Sequence, residues 1–202
     1  MDVFTKLTGV VAPIDRINIY TDQIIPAVFL KSIERSGFED ALFSSWRYNA
    51  DGSPNPDFVL NKPAYKNANV LVAGPNFGTG SSREHAVWAI QQYGFGAVVS
   101  PRFADIFRNN CTKNGLVPVE VTPEVGEALL DAVEADPDLV ITVDVANLTL
   151  EAPDAGISCS FPMDPATRER YLQGLDDIGI SLRHEDDIAV FETTRPEWMP
   201  TT

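Results

Sequence analysis

Val70-Leu71-Val72-Ala73-Gly74-Pro75-Asn76-Phe77-Gly78-Thr79-Gly80-Ser81-Ser82-Arg83-Glu84-His85-Ala86-Val87-Trp88-Ala89-Ile90 is the stretch whose reading decides the fold. Its first four residues are apolar without a break, as in a strand covered on both faces. Gly74 to Gly80 is a glycine-rich turn. Ser81 or Ser82 is then expected to cap a helix running to about Tyr93, with Gly94 and Gly96 as stop signals. The same strand–turn–helix order repeats downstream. Ala97-Val98-Val99-Ser100 reads as a strand, residues 102–114 as a helix ended by Gly115, and Leu116-Val117-Pro118-Val119 as a third strand. Thr122-Pro123-Glu124 opens a further helix over residues 123–135, with proline at its first position.

Outside this run the style changes. Residues 3–20 read as two strands, Gly9 to Ile14 and Ile17 to Tyr20, around a turn at Asp15-Arg16. Residues 27–43 read as one or two short helices broken at Gly37, and residues 49–61 as a loop. Residues 139–144, 147–151 and 156–161 are short and turn-linked, so antiparallel strands are expected. A last helix is expected over residues 164–173, with a turn at 176–181. The fold class is therefore mixed α/β, a mixed sheet with flanking helices. Residues 1–183 are expected to form a single domain, and residues 184–202 an acidic, proline-containing, loosely held tail.

Bulk properties narrow the function. The chain has 202 residues and is 44% hydrophobic, enough for a substantial core. No apolar run reaches the length of a membrane span, and the N-terminal residues lack the pattern of a signal peptide. Two cysteines, Cys111 and Cys159, far apart in sequence, suit a reducing cytoplasm. With His85 and His184 they have no metal-ligand spacing, so no metal is expected on this chain. A formal net charge of −14 argues against nucleic acid or an anionic membrane as partner. It also means that any anionic ligand must be drawn in by a local positive site.

The turn after the first buried strand offers such a site. Gly78 and Gly80 allow backbone conformations that other residues resist. Ser81, Ser82 and Arg83 follow where a helix N-terminus presents free N–H groups and partial positive charge. Arg83 adds a fork suited to a carboxylate or phosphate. On local physics the alternative stays open: a glycine turn with an ordinary serine cap and a solvated arginine. Familiar competitors fail, since no lysine completes a phosphate loop and Arg83 stands where a dinucleotide fingerprint needs its third glycine. His85 reads as a helix residue that fixes the loop, with a base as its alternative. Thr21-Asp22 before Pro26 reads as a helix cap. Phe103, Ile106, Phe107 and Asn110 fall on one helical face, Arg108 and Lys113 read as solvated, and Cys111 reads as a small buried apolar residue.

Several blocks together carry a family resemblance: Thr21-Asp22-Gln23-Ile24-Ile25-Pro26, Phe29-Leu30-Lys31, Gly37-Phe38, Trp46-Arg47-Tyr48, Asn76-Phe77-Gly78, Gly80-Ser81-Ser82-Arg83-Glu84-His85-Ala86, Phe103-Ala104-Asp105-Ile106-Phe107 and Asn114-Gly115-Leu116. In this order the chain resembles the small subunits of bacterial isopropylmalate isomerases (3-isopropylmalate dehydratases), the swivelling β/β/α domain of the aconitase superfamily. The resemblance implies that Ser81 is the base that removes a carbon-bound proton, and that Ser82 and Arg83 bind a substrate carboxylate. It places Thr21 and Asp22 at an active-site strand end. It makes residues 29–36 the loop that selects the substrate's side group, with Phe29, Leu30 and Lys31 among the contacts. That loop is expected to be mobile in an isolated chain. A [4Fe-4S] cluster is implied on a partner large subunit, a small dicarboxylate as substrate, and the cytoplasm as location. The chain departs from the family at Tyr20, where an Asp is usual, and at Thr79, where the family has Gly-Cys-Gly. Two other readings remain: a sister hydro-lyase acting on homocitrate-like or methylmalate-like acids, and a non-catalytic anion-binding module.

Overall fold

The computed structural model describes residues 1–31, 36–196 and Trp198. At its centre is a seven-stranded sheet ordered β4-β3-β2-β1-β5-β6-β7. The strands are β1 (Lys6–Ile14), β2 (Val70–Ala73), β3 (Ala97–Ser100), β4 (Val117–Glu120), β5 (Val140–Asp144), β6 (Thr149–Ala152) and β7 (Ile157–Ser160). Helices α1 (Thr21–Ile24), α2 (Ser44–Arg47), α3 (Glu84–Tyr93), α4 (Asp105–Asn114), α5 (Pro123–Ala135), α6 (Pro165–Gln173), α7 (Asp177–Leu182) and α8 (Glu185–Thr194) accompany it.

β1 joins two kinds of sheet. Its first half pairs antiparallel with β5, Lys6 opposite Asp144 and Val10 opposite Val140. Its second half pairs in parallel with β2, Val11 opposite Val70 and Ile14 opposite Ala73. Burial follows this division. Lys6 to Val10 are exposed or half-buried, whereas Val11 to Ile14, all of β2 and all of β3 are buried. That contrast is expected where helices cover both faces of the parallel part. β2, β3, α5 and the three antiparallel strands lie where the sequence places them, within a residue or two. Thr122 caps α5 by accepting from the N–H of Val125. No helix among the described residues is long and apolar enough to cross a membrane.

Several expectations are corrected. Residues 17–20 form no strand: Asn18 takes a left-handed φ of 55°, and only Tyr20 bridges to another segment, at Thr79. α3 begins at Glu84, so neither Ser81 nor Ser82 caps it, and Arg83 in extended conformation is the cap residue. α4 begins at Asp105, because Phe103 pairs with Phe77 through Phe77 N–H to Arg102 O (3.0 Å) and Ala104 N–H to Phe77 O (3.0 Å). Phe103 therefore lies outside the helix, and Ile106 is 50% exposed rather than on the buried face. Arg108 is exposed, as the sequence suggests, and pairs with Asp105 (2.9 Å) and Glu120 (3.3 Å) at the surface. Residues 185–194, expected in the tail, form α8, and residues 177–182 form α7 rather than a turn.

Candidate functional site

The glycine turn is held by the strand end that follows β1. Ile19 O accepts from the N–H groups of Gly78 (2.8 Å) and Thr79 (3.1 Å), and Thr21 N–H donates back to Thr79 O (2.8 Å). This clasp pins the turn at Gly78 and Thr79, ahead of the helix that starts at Glu84. Gly78 has φ 77°, and a Cβ there would lie 2.2 Å from the Phe107 ring, so glycine is required twice over. Asn76, also left-handed at φ 64°, is braced by donating to Asn18 Oδ1 (2.8 Å).

Past Gly80, the backbone at Ser81 is fixed from below. Thr21 is 2% exposed, and its hydroxyl donates to Ser81 O at 3.0 Å. The side chains of Ser81 and Ser82 face outward: both residues are exposed, and neither hydroxyl has a hydrogen-bond partner among the described residues. The Arg83 side chain is only 15% exposed. Its Nη1 sits 2.5 Å from Asp22 Oδ1 and donates to Ile25 O at 3.3 Å. Two hydroxyls and a guanidinium held on a fixed backbone can bind an oxyanion and present an oxygen to a neighbouring group.

α3 is tied to α4 through one residue, Asn114. Asn114 Nδ2 donates to Glu84 Oε1 (2.9 Å), Trp88 Nε1 donates to Asn114 Oδ1 (2.8 Å), and Gln91 Nε2 donates to Asn114 O (2.8 Å). His85 lies in the first turn of α3, its ring perpendicular to Phe38 at 5.3 Å and 4.6 Å from the Trp88 ring. Phe29, Leu30 and Lys31 fall in a 3-10 turn over Ala27–Lys31, with Phe29 and Leu30 half-buried and Lys31 exposed. The rest of the expected selectivity loop, residues 32–35, lies outside the described residues.

The structure thus brings together Thr21, Asp22, Gly78, Gly80, Ser81 and Arg83, with Ser82 between the last two. The sequence reading missed the Asp22–Arg83 pair and the Ile19 and Ile25 carbonyls. The opposite charges of Asp22 and Arg83 were a signal for the pair; a backbone carbonyl leaves none. The ledge is open. Two hollows of about 660 Å³ (beside Arg108, Pro118 and Met163) and 550 Å³ (beside Arg16, Asp57 and Tyr65) include none of Ser81, Ser82 and Arg83. Among the described residues no group of three or more His, Cys, Asp or Glu is placed to hold a metal. Cys111 is fully buried, and burial pushes its thiol well above the ordinary range, away from the thiolate a metal ligand requires.

Comparison with known proteins bears on the chain as a whole. The aconitase C-terminal domain family matches residues 1–124, and the family of the C-terminal domain of the 3-isopropylmalate dehydratase small subunit matches residues 177–202. The chain is similar to the 3-isopropylmalate dehydratase small subunit of Parafrankia sp., 55% identical over 202 residues, covering 100% of both chains. It is similar to that of Thermobifida fusca, 54% identical with 100% of both chains covered. It is similar to that of Paramagnetospirillum magneticum, 52% identical with 99% of both covered. Its fold matches the crystal structure of a 3-isopropylmalate dehydratase from Methanocaldococcus jannaschii at TM-score 0.65 and 22% identity, covering 91% of this chain and 98% of that one.

Proposed function

The chain belongs to the 3-isopropylmalate dehydratase small-subunit family, and from that premise we propose that its Ser81–Arg83 ledge is the proton-accepting half of a two-chain active site. The protein is the small subunit of a hydro-lyase of leucine biosynthesis, interconverting 2- and 3-isopropylmalate by loss and return of water. Its aconitase-type domain supplies the ledge, and the large subunit is its partner. The observation that carries the site assignment is the pairing of opposites on one fixed backbone: Ser81 open and without a hydroxyl partner among the described residues, Arg83 held in place.

In this reading a substrate carboxylate lies against Arg83 and the Ser82 hydroxyl. Ser81 Oγ accepts the proton from the carbon next to that carboxylate. The electron pair left behind spreads onto the carboxylate and then expels the hydroxyl from the neighbouring carbon. Charge builds on the carboxylate as the proton leaves, so donors set in advance lower the barrier. An ordinary serine holds its proton too tightly to act as a base near neutral pH. The guanidinium and the N-terminus of α3 favour its alkoxide. Asp22 enters by orienting Arg83, since a substrate carboxylate brought against it would be repelled. Thr21 acts from beneath, through Ser81 O. Phe29 and Leu30 offer apolar contact for an isopropyl group, and Lys31 a positive charge at its rim. Gly78, Gly80 and His85 shape the loop.

We place the [4Fe-4S] cluster on the large subunit. The described residues here do not fit one, and no step above runs through it. We place the protein in the cytoplasm, with residues 1–183 as one swivel-type domain and 184–202 as a C-terminal arm. The test is to purify the chain alone and with its large subunit and to measure 3-isopropylmalate dehydration. Turnover is expected only from the pair with its cluster assembled. Turnover by this chain alone would overturn the reading.

A further inference from the structure

Beyond α6 the chain stops behaving like a folded core. Every residue of α8 is exposed. Ile178 and Leu182 of α7, and Ile188, Val190 and Phe191 of α8, are between 42% and 69% exposed. α7 is tethered to α6 by polar contacts, Arg170 to Asp177 at 2.6 Å and Arg183 to Glu169 at 2.9 Å. Exposed ion pairs of this kind stabilise little. A ten-residue helix is marginal in water without an apolar surface to pack on. Its formation here is favoured by Glu185, Asp186 and Asp187 in its first turn, where the helix dipole suits negative charge. Large apolar side chains left exposed this often between Ile178 and Phe191, interleaved with charge, mark a segment built to be covered.

We propose that α7 and α8 are a docking arm for the large subunit, which grips it in an apolar groove rimmed by basic side chains. This rests on the functional reading above, which makes that subunit the partner. The charge favours an unlike chain over a second copy. Two copies, each at −14 and each carrying the acids of α8, repel along the surface that would have to meet. The apolar side chains of α8 do not share one face, since Val190 lies across the helix from Ile188. A helix of this pattern suits being clasped from two sides rather than laid on a flat surface.

The experiment titrates the large subunit with the full chain and with the variants Phe191→Asp and Ile188→Asp, reading the dissociation constant and, at saturating small subunit, the turnover rate. Circular dichroism checks that each variant stays folded, and sedimentation checks self-association of the chain alone. Each variant is expected to weaken association at least about tenfold, the range of a hot-spot residue, while turnover at saturation is unchanged. Lower turnover at saturation with unchanged affinity would overturn the proposal. So would unchanged affinity in both variants of an active pair, and then the functional reading stands. Dimerisation of the chain alone that Phe191→Asp abolishes would also overturn it, in favour of a second copy. A wild-type pair that neither associates nor turns over overturns both proposals.

Discussion

The parallel and antiparallel halves of the sheet share β1 but do different work. On the parallel side, Ile14, Ala73 and Ser100 end buried strands, and the segments after them reach one another: Ile19 O receives Gly78 and Thr79, and Phe77 pairs with Phe103. On the antiparallel side, β5 turns straight into β6, where Asp144 accepts from the N–H of Asn147 (2.8 Å) and from its amide (3.0 Å). Parallel strands need long crossovers, which gather free loops at one edge of the sheet; antiparallel strands close with tight turns. The difference teaches why the proposed chemistry sits after β2. That edge has backbone to spare for an exposed hydroxyl, while the other edge uses its polar groups to hold itself shut.

Substitutions should separate the two halves. The largest effect is expected at Ser81. In the assembled pair, Ser81→Ala should lower turnover by about 10²- to 10⁴-fold, the worth of a positioned base, with thermal unfolding of the chain unchanged. Equal loss of turnover and of fold would erase the contrast. Next, Arg83→Lys replaces a fork held by Asp22 and Ile25 O with a point charge. Its expected effect is a KM raised about tenfold or more, of the order of one charged hydrogen bond, again with little change in unfolding. An unchanged KM would remove Arg83 from substrate binding.

The smallest effect belongs to the antiparallel half and reverses the pattern. Asp144→Ala should cost about 1–2 kcal/mol of stability and leave turnover of the pair unaltered. Its pH dependence has a definite sign. Burial alone would push the Asp144 carboxyl up, but the Asn147 hydrogen bonds and Lys6 at 3.7 Å outweigh it and hold the pKa below the usual value. The stabilisation is therefore fully present above the unfolded pKa of about 4 and is lost as pH falls through the folded value. Chemical denaturation of wild type and variant at pH 7 and at decreasing pH checks this; a gap that widens in acid would contradict it.

The sequence was most legible where the signal is local. Val70 to Ala73 is an uninterrupted apolar run in a buried strand, and Thr122-Pro123 starts a helix at the position its chemistry demands. It was least legible where distant segments decide. Nothing in Ile17 to Tyr20 tells that Ile19 will serve as acceptor for a turn some sixty residues on. Nothing in Ser81-Ser82 tells that the helix waits for Glu84. The roles proposed for Ser81 and Arg83 came from a whole block of residues resembling a family, not from periodicity. The acids of 185–187 read as tail composition, yet the same residues suit the first turn of α8.

The central claim is that Ser81 Oγ takes the proton from carbon. It is tested most directly by following deuterium from the reacting carbon of labelled isopropylmalate into water, using the assembled pair with wild-type or Ser81→Ala small subunit. With substrate binding confirmed for both, the account predicts that wild type washes the label out and that Ser81→Ala retains it. Wash-out by Ser81→Ala at the wild-type rate would contradict it.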